Sequence, residues 1–438
     1  MSGRNVHRGE TMKTGRIPFP LRSLIPTPRR IRFLDWVPKR CSGGRTCRIL
    51  LCGRTDRQAE FAAGFLRARL GRAAEARWRV VRAGAKDICS ARPSDILLCA
   101  DGSAALSSLV GSNLARLEGL AAQQGYAIRS AAASPVVLYA CSSAGLLHAV
   151  ATLLQLVRAD DGDLLLENVE VKDWPEFEYR GNNWLLGNEL YGWSYDRGDG
   201  LKAYEKRIVR KLDLCVLYKI NLIGFDGFGW NPERFPGYGP LMRRLASAAR
   251  LRGIKLEFGG YGSGYGLRAA YDGRIFRNRK GYPDGPVYAC CGMPGIKHTE
   301  TSRTMGTCLG NRALLKLKQK ELIEFVRRVE PGMLYIHNVD AMGIKESTEV
   351  WRLRCPACRK KWPSDEVVAE DGMAGAFASF YDALAKAVNG VRNQKSGYDA
   401  ARDCLLMMVS PAYTSLEESD REWRTECGYF TLVSRLCR

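Results

Sequence analysis

From residue 179 onward the sequence alternates short apolar runs with amphipathic segments, and that rhythm admits few folds. Runs of strand character fall at 179–185, 220–225, 254–258, 333–337 and 405–409. Segments of helical period fall between and after them, at 204–218, 241–252, 312–329, 373–391 and 423–436. Repeated βα units build a parallel sheet with helices outside it, so the fold class expected is α/β, a TIM-type (β/α) barrel. Five strands are legible, whereas a closed barrel takes about eight. The expectation is therefore an incomplete, C-terminally truncated barrel over 176–438, with an open edge available for self-association.

The region before the barrel reads differently. Residues 47–52 form an apolar run, 57–70 place Phe61, Phe65 and Leu66 on one helical face, and 126–129 with 136–140 suggest a hairpin. An apolar helix at 144–157 and a strand at 164–171 complete an α+β domain over 46–175, closed by the turn residues Pro175 and Gly181. The stretch 1–45 holds Pro18, Pro20, Pro26, Pro28 and Pro38 among arginines and is expected to be disordered.

Charge narrows the partners. The net charge is +21, but residues 1–48 carry 12 basic and 2 acidic side chains, so nearly half the excess sits at one end. The remainder is too dilute for a nucleic-acid surface. No run of about 18 apolar residues exists to span a bilayer. A secretory signal is also not supported, because Pro18, Pro20 and Arg22 break the apolar stretch 17–25, and a cytoplasmic location is favoured.

Two segments resemble a known family. Gly145-Leu-Leu-His-Ala-Val-Ala-Thr-Leu-Leu-Gln-Leu156, followed by Asp173-Trp-Pro-Glu-Phe-Glu-Tyr-Arg-Gly181, is similar to the junction between the N-terminal domain and catalytic barrel of family 20 glycoside hydrolases, the β-N-acetylhexosaminidases. Lys219-Ile-Asn-Leu, Phe225-Asp-Gly-Phe-Gly-Trp230 and Arg252-Gly-Ile254 extend the likeness. In the family an Asp orients the substrate's 2-acetamido group and the Glu after it protonates the leaving oxygen. In Tyr335-Ile-His-Asn-Val-Asp-Ala341 the resemblance aligns Asp340 with that Asp and puts Ala341 at the acid's position. Alanine carries no proton, and general acid catalysis contributes about 10²–10⁴-fold. Glu346, Glu257 and Asp226 are candidate replacements. The alternative is a non-catalytic carbohydrate-binding or scaffold protein derived from a glycosidase fold.

The resemblance implies that Arg180 grips sugar hydroxyls; the other reading of Arg180 is a residue closing the bottom of a strand. Asp226 either presents a carboxylate at a pocket mouth or caps a helix. His337 belongs either to a site with Asp340 or to the core. Trp230 and Tyr261 offer faces on which sugar rings could stack, or are core aromatics.

No cofactor is required by this chemistry. Of the 15 cysteines, Cys355 and Cys358 alone have metal spacing, and a structural zinc there would need further ligands from Cys290, Cys291, Cys308 or His298. A disulfide and free thiols are the other readings. The partner expected is a carbohydrate.

Overall fold

The computed structural model describes residues 24–35, 37–41, 46–53, 55–73, 77–100, 108–111, 115–182, 200–226, 237–259, 309–310, 312–337, 348, 351–352, 354, 356–409 and 420–437. The chain divides into two compact units. One comprises Met1–Arg180 with Asp213–Ile220 and Leu251–Gly253; the other comprises Gly181–Leu212, Asn221–Arg250 and Ile254–Arg438.

The first unit begins with β1 (Arg30–Phe33), β2 (Lys39–Cys41), β3 (Thr46–Cys52), α1 (Arg57–Ala73), β4 (Arg77–Ala83), α2 (Ala85–Cys89) and β5 (Ile96–Cys99). It continues with α3 (Leu120–Gln124), β6 (Tyr126–Ser130), β7 (Val136–Tyr139), α4 (Ser143–Leu156), β8 (Val157–Asp160), β9 (Asp163–Leu166) and β10 (Val169–Asp173). Seven strands form one mixed sheet in the order β1-β10-β6-β7-β5-β3-β4. Leu50, Cys52, Leu97, Cys99, Ala127, Val137 and Tyr139 build the core on one of its faces.

Helix α4 starts where the Ser142 hydroxyl accepts a hydrogen bond from the Gly145 amide at 3.0 Å, which satisfies a donor the first turn leaves free. Gly145 is required there, because a Cβ would lie 2.2 Å from the Gly125 carbonyl oxygen. The residue that marks the family-like helix in the sequence is thus a close-approach glycine.

Residues 24–41 correct the expectation of a disordered leader. β1 pairs antiparallel with β10, and β2 pairs with β9 in a three-stranded sheet. Proline and arginine content suggests disorder, but Ile31 and Phe33 alternate with arginines, and Arg32 bonds Glu170 across the pair. The partner strand lies some 140 residues away, out of reach of any local pattern. The single strand expected at 164–171 is likewise two strands, β9 and β10, in different sheets.

The second unit contains β11 (Gly181–Asn182), α5 (Gly200–Leu217), β12 (Leu222–Asp226), α6 (Tyr238–Leu251), β13 (Lys255–Gly259), α7 (Arg312–Val329) and β14 (Met333–His337). After these come α8 (Pro356–Lys361), α9 (Met373–Asn389), β15 (Arg392–Asn393), β16 (Tyr398–Asp399), α10 (Ala400–Asp403), β17 (Leu405–Val409) and α11 (Asp420–Leu436). The order β11-β12-β13-β14-β17, parallel throughout, is the α/β arrangement that the βα rhythm predicts. Among the described residues the five strands form an open sheet. None of the described helices is long and apolar enough to cross a membrane.

One buried acid of this unit is held by several partners. Glu330, just before β14, accepts from Arg243 at 2.7 Å, Asn393 at 2.6 Å and Ser396 at 2.7 Å. Those bonds tie α6 and the β15 turn to the amino end of the sheet.

Candidate functional site

In a parallel sheet the residues paired in register share a face, and successive residues alternate between faces. Phe258 of β13 packs edge-on to Phe325 of α7, with ring centroids 5.8 Å apart, so it points to the helical layer. Its neighbour Glu257 therefore takes the opposite face. Glu257 pairs in register with Gly224 of β12 and with Met333 of β14. One row nearer the carboxyl ends stand Gly259 and Tyr335.

The carboxyl ends of parallel strands are where chemistry is assembled in folds of this class. Asp226 is the last residue of β12, in register with Gly259, and His337 is the last of β14, in register with Val409. The sheet thus brings the backbone positions of two expected site residues to the same end, with β13 between their strands. Their side chains lie outside the described part, as do Asp340, Ala341, Glu346, Trp230, Tyr261 and Cys355 altogether.

Glu257 is 5% exposed, and its Oε2 is buried without a hydrogen-bond partner. Burial disfavours the ionised form and pushes the carboxyl up to about 7.

Arg180, to which the resemblance assigns a grip on sugar hydroxyls, is bonded as follows. It precedes β11, at the amino end of that strand. Its Nε donates to the Lys219 carbonyl at 3.1 Å, and Nη1 donates to Gln124 Oε1 at 2.8 Å and to the Phe177 carbonyl at 2.7 Å. Nη2 lies 3.5 Å from His148 Nε2. His148 is buried, its Nδ1 is 2.9 Å from the Gln124 carbonyl, and burial lowers its pKa to about 4, so the ring is neutral. These partners all belong to the first unit.

Behind Arg180 lies a network with no signal in the sequence. Lys219 Nζ donates to Tyr126 Oη at 2.7 Å and to Asp173 Oδ2 at 3.0 Å. Tyr126 Oη donates to Asp173 Oδ2 at 2.9 Å and sits 2.6 Å from Thr152 Oγ1, while the Arg29 amide donates to Asp173 Oδ1 at 3.1 Å. Burial lowers the Lys219 pKa, and the facing Asp173 carboxylate opposes that shift. The sequence offered Asp173 and Lys219 only as parts of family-like strings. Their pairing joins positions 46 residues apart.

The segment around the expected metal motif is organised by an arginine. Arg354 is 2% exposed. Its guanidinium donates to the carbonyls of Trp351 at 3.0 Å, Trp362 at 3.1 Å, Pro363 at 2.9 Å and Ser364 at 3.1 Å, and pairs with Asp365 at 2.5 Å. It also stacks on Trp351, 4.5 Å from the ring centre. Cys358 is buried against Gly310, where a Cβ would lie 2.8 Å from its Sγ. Among the described residues no three His, Cys, Asp or Glu side chains gather at a point where a metal could bind.

Comparison with known proteins places this geometry. Residues 22–174 match the sequence profile of glycosyl hydrolase family 20, domain 2. A β-hexosaminidase of Vibrio furnissii is 53% identical over 47 residues, a stretch covering 11% of this chain and 8% of that enzyme. The fold is similar to that of the exo-β-N-acetylglucosaminidase of Vibrio harveyi, with TM-score 0.53, 16% identity, and coverage of 89% of this chain and 58% of that one. It is also similar to the β-N-acetylhexosaminidase of Streptomyces coelicolor, with TM-score 0.52, 16% identity, and coverage of 96% and 74%. The chain thus spans little more than half the length of the Vibrio harveyi enzyme. Residues 22–174 thus match domain 2 of glycosyl hydrolase family 20, and the fold is similar to that of solved β-N-acetylhexosaminidases.

Proposed function

We propose that the protein acts on carbohydrate as a glycoside hydrolase of the β-N-acetylhexosaminidase type, with its site at the carboxyl ends of the parallel sheet. The observation that carries this reading is the convergence there of Asp226 and His337 in neighbouring register rows, with the buried acid Glu257 beneath them. Asp340, three residues after His337 in the sequence, would orient the substrate's acetamido group. Ala341, which follows it, favours the second reading, a protein that binds carbohydrate without cleaving it.

A panel of aryl glycosides separates the two. The purified chain should release the chromophore from a β-N-acetylhexosaminide, and Asp340→Asn should lower that rate at least tenfold. Saturable binding of the sugar with no release would support the non-catalytic reading. Neither binding nor release would end both.

A structural zinc at Cys355 and Cys358 is proposed as an accessory feature. Gly310 packs on Cys358, and Cys308 is two residues from Gly310, which supports Cys308 as a third ligand. The purified protein should then carry about one zinc per chain, reduced in Cys355→Ser. A metal-free chain would leave the segment to Arg354.

A further inference from the structure

Three buried acids are held by several partners each. Glu330 accepts three hydrogen bonds, Asp173 is held by Lys219, Tyr126 and the Arg29 amide, and Asp95 pairs with Arg48 and Arg92. Glu257 differs, because it lies 5% exposed in the middle of β13 with Oε2 unpartnered. An unpaired buried carboxyl costs stability, and structural packing would be served better by an apolar residue. The space around it is also particular. On the β12 side its register neighbour is Gly224, and toward the carboxyl end the next residue of β13 on the same face is Gly259. Two positions without side chains thus adjoin the carboxyl: Gly224 stands beside it, and Gly259 stands about 6.6 Å, or two residues of strand, nearer the carboxyl ends, in register with Asp226 and Tyr335.

We propose that Glu257 is the proton donor to the leaving oxygen of a glycoside that approaches past these two glycine positions from the carboxyl ends, taking the role that Ala341 cannot fill. The assignment rests on the hydrolytic reading above. In the step, the bond from the anomeric carbon to the leaving oxygen breaks with its electron pair passing to that oxygen, which takes the proton from Glu257. Water then adds at the anomeric carbon and returns a proton to the Glu257 carboxylate, so the acid is restored and one water is consumed per bond cleaved. A carboxyl held protonated up to about 7 by burial is suited to that role.

The test is Glu257→Gln, which preserves shape and removes the proton. With an alkyl or sugar leaving group, which must be protonated, the rate should fall by about 10²-fold or more. With a dinitrophenyl leaving group, which needs no proton, the loss should stay within about tenfold. The wild-type rate on the poor leaving group should fall as pH rises through about 7, and the variant should lose that limb. Folding is checked by melting. Because burial raises the carboxyl, the stability associated with its neutral form is present below the ordinary carboxylate range and lost as pH rises through about 7. The variant should therefore melt no lower than wild type at pH 8.

An active wild type with a variant that cleaves both substrates equally well would overturn the assignment and leave the hydrolytic reading standing. A wild type that cleaves no glycoside would overturn both. Should the variant fail to fold, the wild-type profile decides, and a poor-leaving-group rate unchanged across pH 6 to 8, on the order of one unit either side of the burial-shifted value, would overturn the assignment.

Discussion

Lys219→Met should destabilise the first unit by about 3–5 kcal/mol, the cost typical of removing one partner from a buried ion pair. Methionine retains most of the stem but no charge. Asp173, itself buried, would keep only the Arg29 amide and the Tyr126 hydroxyl as donors. Arg180 bonds the Lys219 carbonyl, so the disturbance should reach the turn that leads into β11. Hydrogen exchange at β6 and β10 reads the effect directly, with protection falling in both strands.

The backbone supplies a second arm. Lys219 has φ +57°, at the turn that ends α5, where its amide bonds the Val216 carbonyl. Glycine is the usual residue there, and a lysine is held in that conformation at a cost of about 1 kcal/mol. Lys219→Gly should therefore be less harmful than Lys219→Met by about that amount, while losing the same ion pair. Adding Asp173→Asn to Lys219→Met should recover at least half of the loss, since the uncompensated charge is then gone. A loss below about 1 kcal/mol in Lys219→Met would mean that the pair is solvated and the network contributes little.

Arg354→Met should open the segment from Trp351 to Asp365. Four carbonyl groups share one guanidinium, and an apolar replacement takes that donor from the Trp362 and Pro363 carbonyls, leaves Ser364 only the Trp351 indole and Trp351 only the Arg354 amide, and removes the stacking contact on Trp351. Each unmet group costs about 1–3 kcal/mol, and because the groups share one donor the total expected is about 2–4 kcal/mol. Brief trypsin treatment should cut the variant at Arg359, Lys360 or Lys361 under conditions that leave the wild type whole. A chelator sets this apart from metal-held order: wild type that stays resistant in chelator is held by Arg354, and wild type that becomes sensitive is held by metal.

The βα rhythm after residue 179, the apolar helix α4 and the hairpin of β6 and β7 were all legible in the sequence. Each is written in local periodicity: α4 in its spacing of Leu146, Val150 and Leu153, and β13 in its short apolar run bounded by glycines. The family resemblance was legible for a related reason, since Gly145 marks a place where two backbones touch and no other residue fits. The strands at 30–33 and 39–41 were not legible, because what makes them strands is β10 and β9, more than a hundred residues away.

The candidate site divides along the same line. The sequence alone determined that acids and a histidine stand at the ends of strands, because strand ends are local features. Only the tertiary structure decided which polar groups have partners. It placed Arg180 and Lys219 in a network with Tyr126 and Asp173, and it left Glu257 alone beside Gly224. Whether a charged side chain is structural or chemically available depends on which distant segments arrive beside it, and the identity of those segments is a property of sheet order and register.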